Sequence, residues 1–337
     1  MKGRILPVYG VYRDIIKKPY WKRERMIDTM FMDKMAPGIL RLSVMDHDID
    51  LFEGQYPVPN GVSYNSYLIE DEKLCLLDTV DARKQAEWLA GLEETLAGRK
   101  LNYLVISHME PDHAGSIAAL CARQPQVKLV ANAKTFGMLD QFTGDHPLTQ
   151  ERVTVGEGGT LALGSHALHF VLAPMVHWPE VMVAYEDSQK VLFSADGFGN
   201  FGPLTYTDAW ANEARRYYCN IVGKYGAQVQ GLLKKAAALD IQTVCPLHGP
   251  QLTGDALTRA LALYSLWAAW KPEESGVLVA YAGFHGHTAE AAEFLAEKLH
   301  AQGETVEVID LNRVHKSYAV ASAFKFDRMA LCAATYD

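Results

Sequence analysis

Cysteine is scarce in this chain: Cys75, Cys121, Cys219, Cys245 and Cys332 are the only five in 337 residues. The number is odd, the spacing is scattered, and no C-x-x-C pair occurs. Neither a disulfide framework nor a cysteine-held zinc or iron–sulfur site is expected from this pattern, and a reducing, cytoplasmic setting is. Long apolar runs are missing too; none reaches the ~18 residues of a membrane span. The start, Met1-Lys2-Gly3-Arg4-Ile5-Leu6-Pro7, lacks the continuous apolar core of a signal peptide. Nor is there an excess of positive charge. The net charge of -8 gives no broad attraction to nucleic acid or to anionic lipid. Neither an internal repeat nor a low-complexity tract occurs. What remains is an ordinary globular composition, 49% hydrophobic and 21% charged, long enough for about two domains.

Residues 1–38 differ from the rest. They carry Lys17-Lys18-Pro19, Lys22-Arg23-Glu24-Arg25 and a Met-rich run, Met26 to Met35, whose spacing reads as helical. This segment reads as an N-terminal extension packed on the body or on a partner, its charges forming a solvated helix face.

The densest chemistry lies in Ser107-His108-Met109-Glu110-Pro111-Asp112-His113-Ala114-Gly115-Ser116. An apolar run, Leu101 to Ile106, precedes it as a buried strand, and Ala114 to Cys121 reads as a helix opening. Four metal-competent side chains crowd into six positions. In an extended segment His108, Glu110 and Asp112, at i, i+2 and i+4, point the same way, with His113 beside them. Acidic residues near a helix start also serve as caps or as partners of its dipole. Four such residues in this order argue instead for a metal site, and for two ions, since one tetrahedral ion needs fewer close ligands.

Strand-like segments recur through about residues 39–270, at Gly38 to Val44, Ser63 to Ile69, Lys73 to Asp78, Lys128 to Ala131, Ala167 to Leu172, Val181 to Tyr185, Val191 to Ser194 and Thr243 to Pro246. Helical patterns lie between them, notably Arg83 to Ala97, Ala209 to Lys224 and Val229 to Leu239. The early strands form hairpins and the later ones alternate with helices, which suits two packed sheets with helices outside. Further candidates close strands ahead of Gly or Pro turns: His177, Asp196 before Gly197-Phe198-Gly199, and His248 before Gly249-Pro250. One histidine so placed is commonly a turn residue; three such endings added to the first cluster point to convergence on one site.

The pattern His108-x-Glu110-x-Asp112-His113, then His177, Asp196 and His248, resembles the metallo-β-lactamase superfamily. More closely it resembles the flavodiiron proteins, also called A-type flavoproteins. Hydrolytic branches usually carry His where Glu110 stands. Leu51-Phe52-Glu53-Gly54, Tyr64-Asn65-Ser66-Tyr67-Leu68-Ile69, Leu77-Asp78-Thr79-Val80 and Tyr217-Tyr218 are similar to the same branch. The resemblance implies an α/β (α+β) fold, a metallo-β-lactamase-like αββα sandwich followed by the first half of a flavodoxin-like doubly wound domain. It implies one metal held by His108, Glu110 and His177, a second by Asp112 and His248, and Asp196 bridging, with His113 on the second metal or yielding to water. Glu110 adds a hard anionic ligand and favours iron over zinc, although zinc is an expected occupant of purified protein because its affinity exceeds that of ferrous iron.

After Lys271-Pro272-Glu273-Glu274 a second unit, residues 276–337, opens with an apolar strand, Gly276 to Ala280. Ala282-Gly283-Phe284-His285-Gly286-His287-Thr288 turns into a helix, Ala289 to Leu299, and strands follow at Thr305 to Ile309 and Met329 to Ala333. A loop at a helix N-terminus can cradle phosphate. Here it resembles the FMN-phosphate loop of the flavodiiron module, through Gly283, Phe284, His285, Gly286, His287 and Thr288, while Thr335-Tyr336 resembles the start of the second FMN loop. Gly283 and His287 depart from the family pattern, and the sequence stops before a five-stranded flavodoxin is complete. The expectations are therefore a truncated or partner-completed half domain and poor FMN binding by this chain alone.

By resemblance, the activity expected is reduction of dioxygen to water or of nitric oxide to nitrous oxide. Electrons would pass through FMN in a head-to-tail homodimer from a separate donor such as a rubredoxin. The alternatives are a di-zinc hydrolase and a metal-binding remnant without electron entry.

Overall fold

The computed structural model describes residues 30–335. The basic stretch of residues 17–25 and Tyr336 lie outside the described residues. The chain starts with a hairpin of β1 (Met30–Ala36) and β2 (Ile39–Asp46), followed by a small hairpin, β3 (Leu51–Phe52) and β4 (Tyr56–Pro57). Then come β5 (Val62–Ile69), β6 (Cys75–Leu77), β7 (Tyr103–Val105), β8 (Lys128–Ala131) and β9 (Arg152–Thr154). They build a seven-stranded sheet in the order β1-β2-β5-β6-β7-β8-β9. The second sheet has six strands in chain order: β10 (Thr160–Ala162), β11 (Ala167–Leu172), β12 (Met182–Glu186), β13 (Val191–Phe193), β14 (Thr243–Cys245) and β15 (Leu252–Thr253).

The helical reading of Met26 to Met35 is corrected from Met30 onward. Met30–Ala36 is the edge strand of the first sheet, antiparallel to β2. Asp33 sits opposite Arg41 in the register, and their side chains pair at 2.6 Å. Methionines spaced three to five apart fit a helix face, but the neighbouring strand and this cross-strand pair decide the conformation.

The two sheets share one core. Every residue of β5 is buried, as expected of a central strand covered on both faces. From it Tyr67 reaches Phe193 of β13, ring centres 5.2 Å apart, and donates its hydroxyl to the Pro246 carbonyl at 2.6 Å. Helix α1 (Gln85–Leu96) covers the first sheet with Trp88, Leu89, Leu92 and Leu96, the one-sided stripe of an amphipathic helix. Short helices α2 (Pro111–Ala114) and α3 (Ile117–Arg123), then α4 (Ala133–Thr143), follow β7 and β8. On the far side lie α5 (Trp210–Tyr217), a π-helical turn at Tyr218–Val222, α6 (Gly226–Ala236) and α7 (Gly254–Ala268).

The remaining elements form a parallel three-stranded sheet, β16 (Glu274–Ala282), β17 (Val306–Asp310) and β18 (Phe326–Ala333), in the order β17-β16-β18. Helix α8 (His287–Ala301) packs on Val277, Val279 and Tyr281, while α9 (Lys316–Lys325) lies on the side of Leu278 and Ala280. Period-two alternation thus serves two apolar faces, and β16 reads as an unbroken hydrophobic run. This order is the flavodoxin-like one. β17 and β18 are its two edge strands, and β18 leaves Met329 and Leu331 exposed.

Arg216 ties the two units together. Its buried guanidinium lies 4.4 Å from the ring centres of both Phe201 and Tyr318 and pairs with Glu213 at 2.6 Å. Among the described residues no helix is long and apolar enough to cross a membrane.

Candidate metal centre

The seven predicted ligands gather where strand ends of both sheets meet, and all seven are buried. His108 and Glu110 lie in the loop after β7, while Asp112 and His113 occupy the single turn of α2. The extended face expected of residues 108–112 is therefore replaced by a loop that turns into a helix at Pro111. Capping does not explain the carboxylates: Glu110 is the N-cap residue, yet its side chain makes no capping hydrogen bond.

Asp78 and Thr79 pin this loop from behind. Asp78 accepts hydrogen bonds from the Ser107 amide at 2.8 Å and from the Ser107 hydroxyl, and Thr79 donates to the His113 carbonyl at 2.5 Å. His177 follows β11, Asp196 follows β13 and His248 follows β14. Behind His248 only glycine fits, since Gly249 has φ +83° and a Cβ there would lie 1.9 Å from Asn200 Oδ1.

The ligand atoms form two groups joined by one carboxylate: His108, Glu110, His177 and Asp196 in one, Asp112, His113 and His248 in the other. Glu110 Oε2 lies 3.2 Å from His108 Nε2 and 3.0 Å from His177 Nε2. Asp112 Oδ2 lies 3.4 Å from His113 Nε2 and 3.2 Å from His248 Nε2. Asp196 turns Oδ2 to His177 and His108, at 3.0 and 3.4 Å, and Oδ1 to His113 and His248, at 3.1 and 3.7 Å.

Bonds of about 2.1 Å meeting at about 90–110° place neighbouring ligands roughly 3.0–3.4 Å apart, which is the spacing found here. Hydrogen bonding accounts for these contacts less well. Both oxygens of Asp112, Oδ1 of Asp196 and Nδ1 of His113 are buried without a hydrogen-bond partner, a costly state unless a cation completes it. His248 Nδ1 lies 2.7 Å from the Ser63 carbonyl and His108 Nδ1 2.9 Å from Glu180 Oε1. A carbonyl only accepts, so Nδ1 of His248 carries the proton and its Nε2 lone pair faces inward; the Glu180 carboxylate sets His108 the same way. The donor set thus fits a pair of metal ions.

Proton binding in the metal-free chain follows the same arrangement. Burial disfavours charged imidazolium, but the surrounding carboxylates outweigh it. Asp112 and Asp196 push His113 up to about 9, Asp196 and Glu110 push His177 up to about 9, and His108 is raised likewise. Against the opposing effect of burial, the histidines hold Glu110 and Asp196 below the usual carboxylate range.

A raised pKa contributes stability that is complete below the unfolded value of about 6.5 and is lost as pH rises through the folded value. Chelator-treated protein should therefore lose melting temperature as pH rises from 6.5 to 9. Metal-loaded protein should lose much less, because the ions replace the protons. Calorimetry across that range tests this; parallel profiles for the two forms would refute it.

Other side chains near the centre escaped the sequence reading. Glu180 accepts both His108 Nδ1–H and the Met109 amide, each at 2.9 Å. Tyr217 lies on His248, ring centres 5.5 Å apart, its hydroxyl buried without a partner. Glu53, in the β3–β4 turn, is exposed as a residue, but its carboxyl hydrogen-bonds Glu110; burial and the Glu110 charge push it up to about 8. Glu53 and Tyr217 stand in Leu51-Phe52-Glu53-Gly54 and Tyr217-Tyr218, and no spacing in the sequence ties them or Glu180 to the ligands.

In the second unit Gly283, Phe284 and Gly286 line a cavity of about 420 Å³ with Asp310, Asn312 and Arg313. Thr288 packs on Gly283, where a Cβ would come within 2.7 Å of it. His285 and His287 are exposed. Thr335 follows Ala334, whose amide bonds Ala282 at 3.2 Å, so the two loop ends lie side by side.

A family profile described as "ODP family beta lactamase" matches residues 62–249. The chain is 32% identical over 296 residues to a rubredoxin-oxygen oxidoreductase of Megalodesulfovibrio gigas, covering 84% of this chain and 72% of that one. It is 30% identical over 294 residues to an anaerobic nitric oxide reductase flavorubredoxin of Aliivibrio salmonicida, covering 83% of this chain but only 58% of the relative. The fold superposes on a flavodiiron protein from Giardia intestinalis with a TM-score of 0.83 at 26% identity, over 92% of this chain and 76% of that one.

Proposed function

The chain belongs to the flavodiiron proteins, and from that premise we propose that it reduces dioxygen or nitric oxide at a paired iron centre. His108, Glu110 and His177 would hold one ion, Asp112, His113 and His248 the other, and Asp196 would bridge them. The observation that supports this best is the Asp196 carboxylate, one oxygen turned to each histidine pair. Bound iron would supply open coordination positions and electrons, and bound FMN two electrons more.

The chain's own side chains hold and shield. Phe52 and Tyr217 pack on His248 and limit water on that side. Glu180 and the Ser63 carbonyl orient two imidazoles. The mouth is a cavity of about 350 Å³ lined by Glu53, Asp81, Glu110 and Asp112, with Arg83 the only cation lining it. Such a field disfavours anionic substrates such as phosphodiesters and leaves small neutral molecules unhindered, which weighs against a di-zinc hydrolase.

The FMN phosphate would sit on loop 282–288, against the first-turn amides of α8. Electrons would come from a donor such as a rubredoxin, for which the M. gigas relative is named. A head-to-tail dimer would bring the FMN of one subunit to the metals of the other.

Metal analysis with anaerobic gas-consumption assays tests the reading. Two irons per chain and O2 or NO consumption with a reductant are expected; a zinc-loaded protein that hydrolyses esters and consumes neither gas would overturn it. FMN is expected to bind this chain weakly, because the described residues build no wall for the ring beyond β18. Stoichiometric submicromolar binding in a flavin fluorescence titration would refute that part.

A further inference from the structure

The loop that carries His248, Pro246-Leu247-His248-Gly249, leaves its sheet early. β14 pairs with β13 as far as Cys245 and with β15 only through Val244, so the carbonyls past Cys245 need other donors. They meet them on β5, the central strand of the first sheet. β6 runs along β5 only as far as Tyr67, and the loop occupies the edge that β6 leaves. The Asn65 amide donates to the Leu247 carbonyl at 2.9 Å, and the Ser63 carbonyl accepts His248 Nδ1–H at 2.7 Å.

The Asn65 side chain adds a clamp to this backbone seam. Its carboxamide nitrogen lies 2.8 Å from the Pro246 carbonyl and 3.0 Å from that of Gly249. Carbonyls only accept, so both hydrogens are committed, one on each side of His248. The carboxamide oxygen accepts the Ser43 hydroxyl at 2.7 Å, from the residue directly opposite in the β2–β5 register. Three bonds thus fix one amide in one orientation. Ser63, Asn65 and Tyr67 alternate along β5 and share a face. The outer two brace the loop ends: the Tyr67 hydroxyl donates to the Pro246 carbonyl at 2.6 Å, and the Ser63 hydroxyl accepts the Gly249 amide at 2.7 Å. Asn65 and Ser43 are fully buried, so solvent does not stand in for a lost donor.

We propose that Asn65 is the positioning residue of the second metal position. By bridging the Pro246 and Gly249 carbonyls it aims His248 Nε2 at Asp112 and His113, which lie 3.2 and 3.0 Å away, and so sets the affinity of that position alone. The inference rests on the paired-metal reading above. The other position has supports of its own: Glu180 orients His108, and Asp78 holds Ser107 beside it. Neither support involves Asn65 or its loop. Selectivity is what separates positioning from a plain structural role, because a loosened core would weaken both positions alike.

The test is cobalt(II) binding by the chelator-treated full chain, titrated anaerobically against a competing chelator. Absorbance follows ligation, and circular dichroism follows folding. His108→Ala serves as a background that reports the second position, and His248→Ala as one that reports the first. Asn65→Leu keeps the branching at Cγ and removes the amide. In the His108→Ala background it should weaken cobalt binding about tenfold or more, as losses of outer supports at metal-bound histidines do. In the His248→Ala background it should leave binding unchanged. Ser43→Ala frees the Asn65 oxygen and should weaken the second position about threefold, the effect of one ordinary hydrogen bond. That milder variant decides the matter if Asn65→Leu does not fold. Equal weakening in both backgrounds would make Asn65 a plain core residue and overturn the proposal, and so would unchanged binding at the second position. A wild-type chain that fails to take up two ions would instead refute the paired-metal reading.

Discussion

Asp196→Asn should leave a folded chain that retains at most one tightly held metal and consumes O2 or NO at least about a hundredfold more slowly, the upper range seen even for outer-shell losses at metal sites. The substitution keeps the shape of the side chain. Its backbone role, accepting the Gly199 amide at 3.0 Å, is untouched, as is the Phe198 amide bond to the Tyr264 hydroxyl at 2.7 Å. What changes is one oxygen. Asp196 now offers an acceptor to each histidine pair; an amide would offer an oxygen to one pair and an NH2 to the other. That NH2 can only donate, so it would hydrogen-bond the inward Nε2 lone pairs of His113 and His248, or those of His108 and His177, and block one metal position outright. Elemental analysis after a chelator challenge, with circular dichroism as the folding control, measures the effect. Two ions retained with wild-type turnover would show that Asp196 does not bridge.

His108, Asp196 and His248 were legible because each stands just past the end of a short apolar strand. A buried strand must finish somewhere, and a charged or imidazole side chain at that point is expensive unless partnered. His108, Asp196 and His248 each follow a short, fully or largely buried strand, so the sequence exposes the end of the core and the oddity of what stands there together. How they group was not legible from spacing alone. His113 pairs with His248 across 135 residues, Nε2 to Nε2 at 3.0 Å, and only the packing of two sheets brings them together. The supports were hidden for the same reason. Asp78 holds Ser107 from a parallel neighbour strand, and Glu180 reaches His108 from 72 residues away; nothing near either residue announces its partner.

Fold legibility divides along similar lines. β16 could be read as a strand and 282–288 as a turn because the hydrophobic run stops at glycine and a helix pattern resumes at once. The edge hairpin could not. Met30, Met32 and Met35 have no strict alternation, and β1 is half exposed, so its conformation comes from β2 and from contact with α1 rather than from local preference. Arg216 was equally silent: a charged residue on an amphipathic helix suggests solvent, whereas here two aromatic rings from different units enclose it.

Glu110→His tests which metal chemistry the centre is built for. At present the group around His108 and His177 combines two imidazoles with two carboxylates, Glu110 and Asp196. The substitution gives three imidazoles and one carboxylate, a softer and less anionic set that favours zinc over iron. The change should be tolerated locally. Position 110 has φ -60° and ψ 137°, ordinary extended values, and its side chain caps nothing. The new ring would enter space now held by an oxygen 3.0 Å from His177 Nε2, and Glu53 would lose its carboxylate partner. Protein purified from the same medium should show the zinc-to-iron ratio shifted toward zinc, and gas consumption should fall about a hundredfold or more, beyond the loss typical of a disturbed supporting residue. Zinc cannot cycle between oxidation states, so restoring ligand number without restoring iron should not restore activity. Reconstitution with excess ferrous iron separates the two causes. Partial recovery of gas consumption would trace the defect to metal choice, and no recovery despite bound iron would trace it to the lost carboxylate. Undiminished consumption with iron retained as purified would mean that Glu110 does not select the metal.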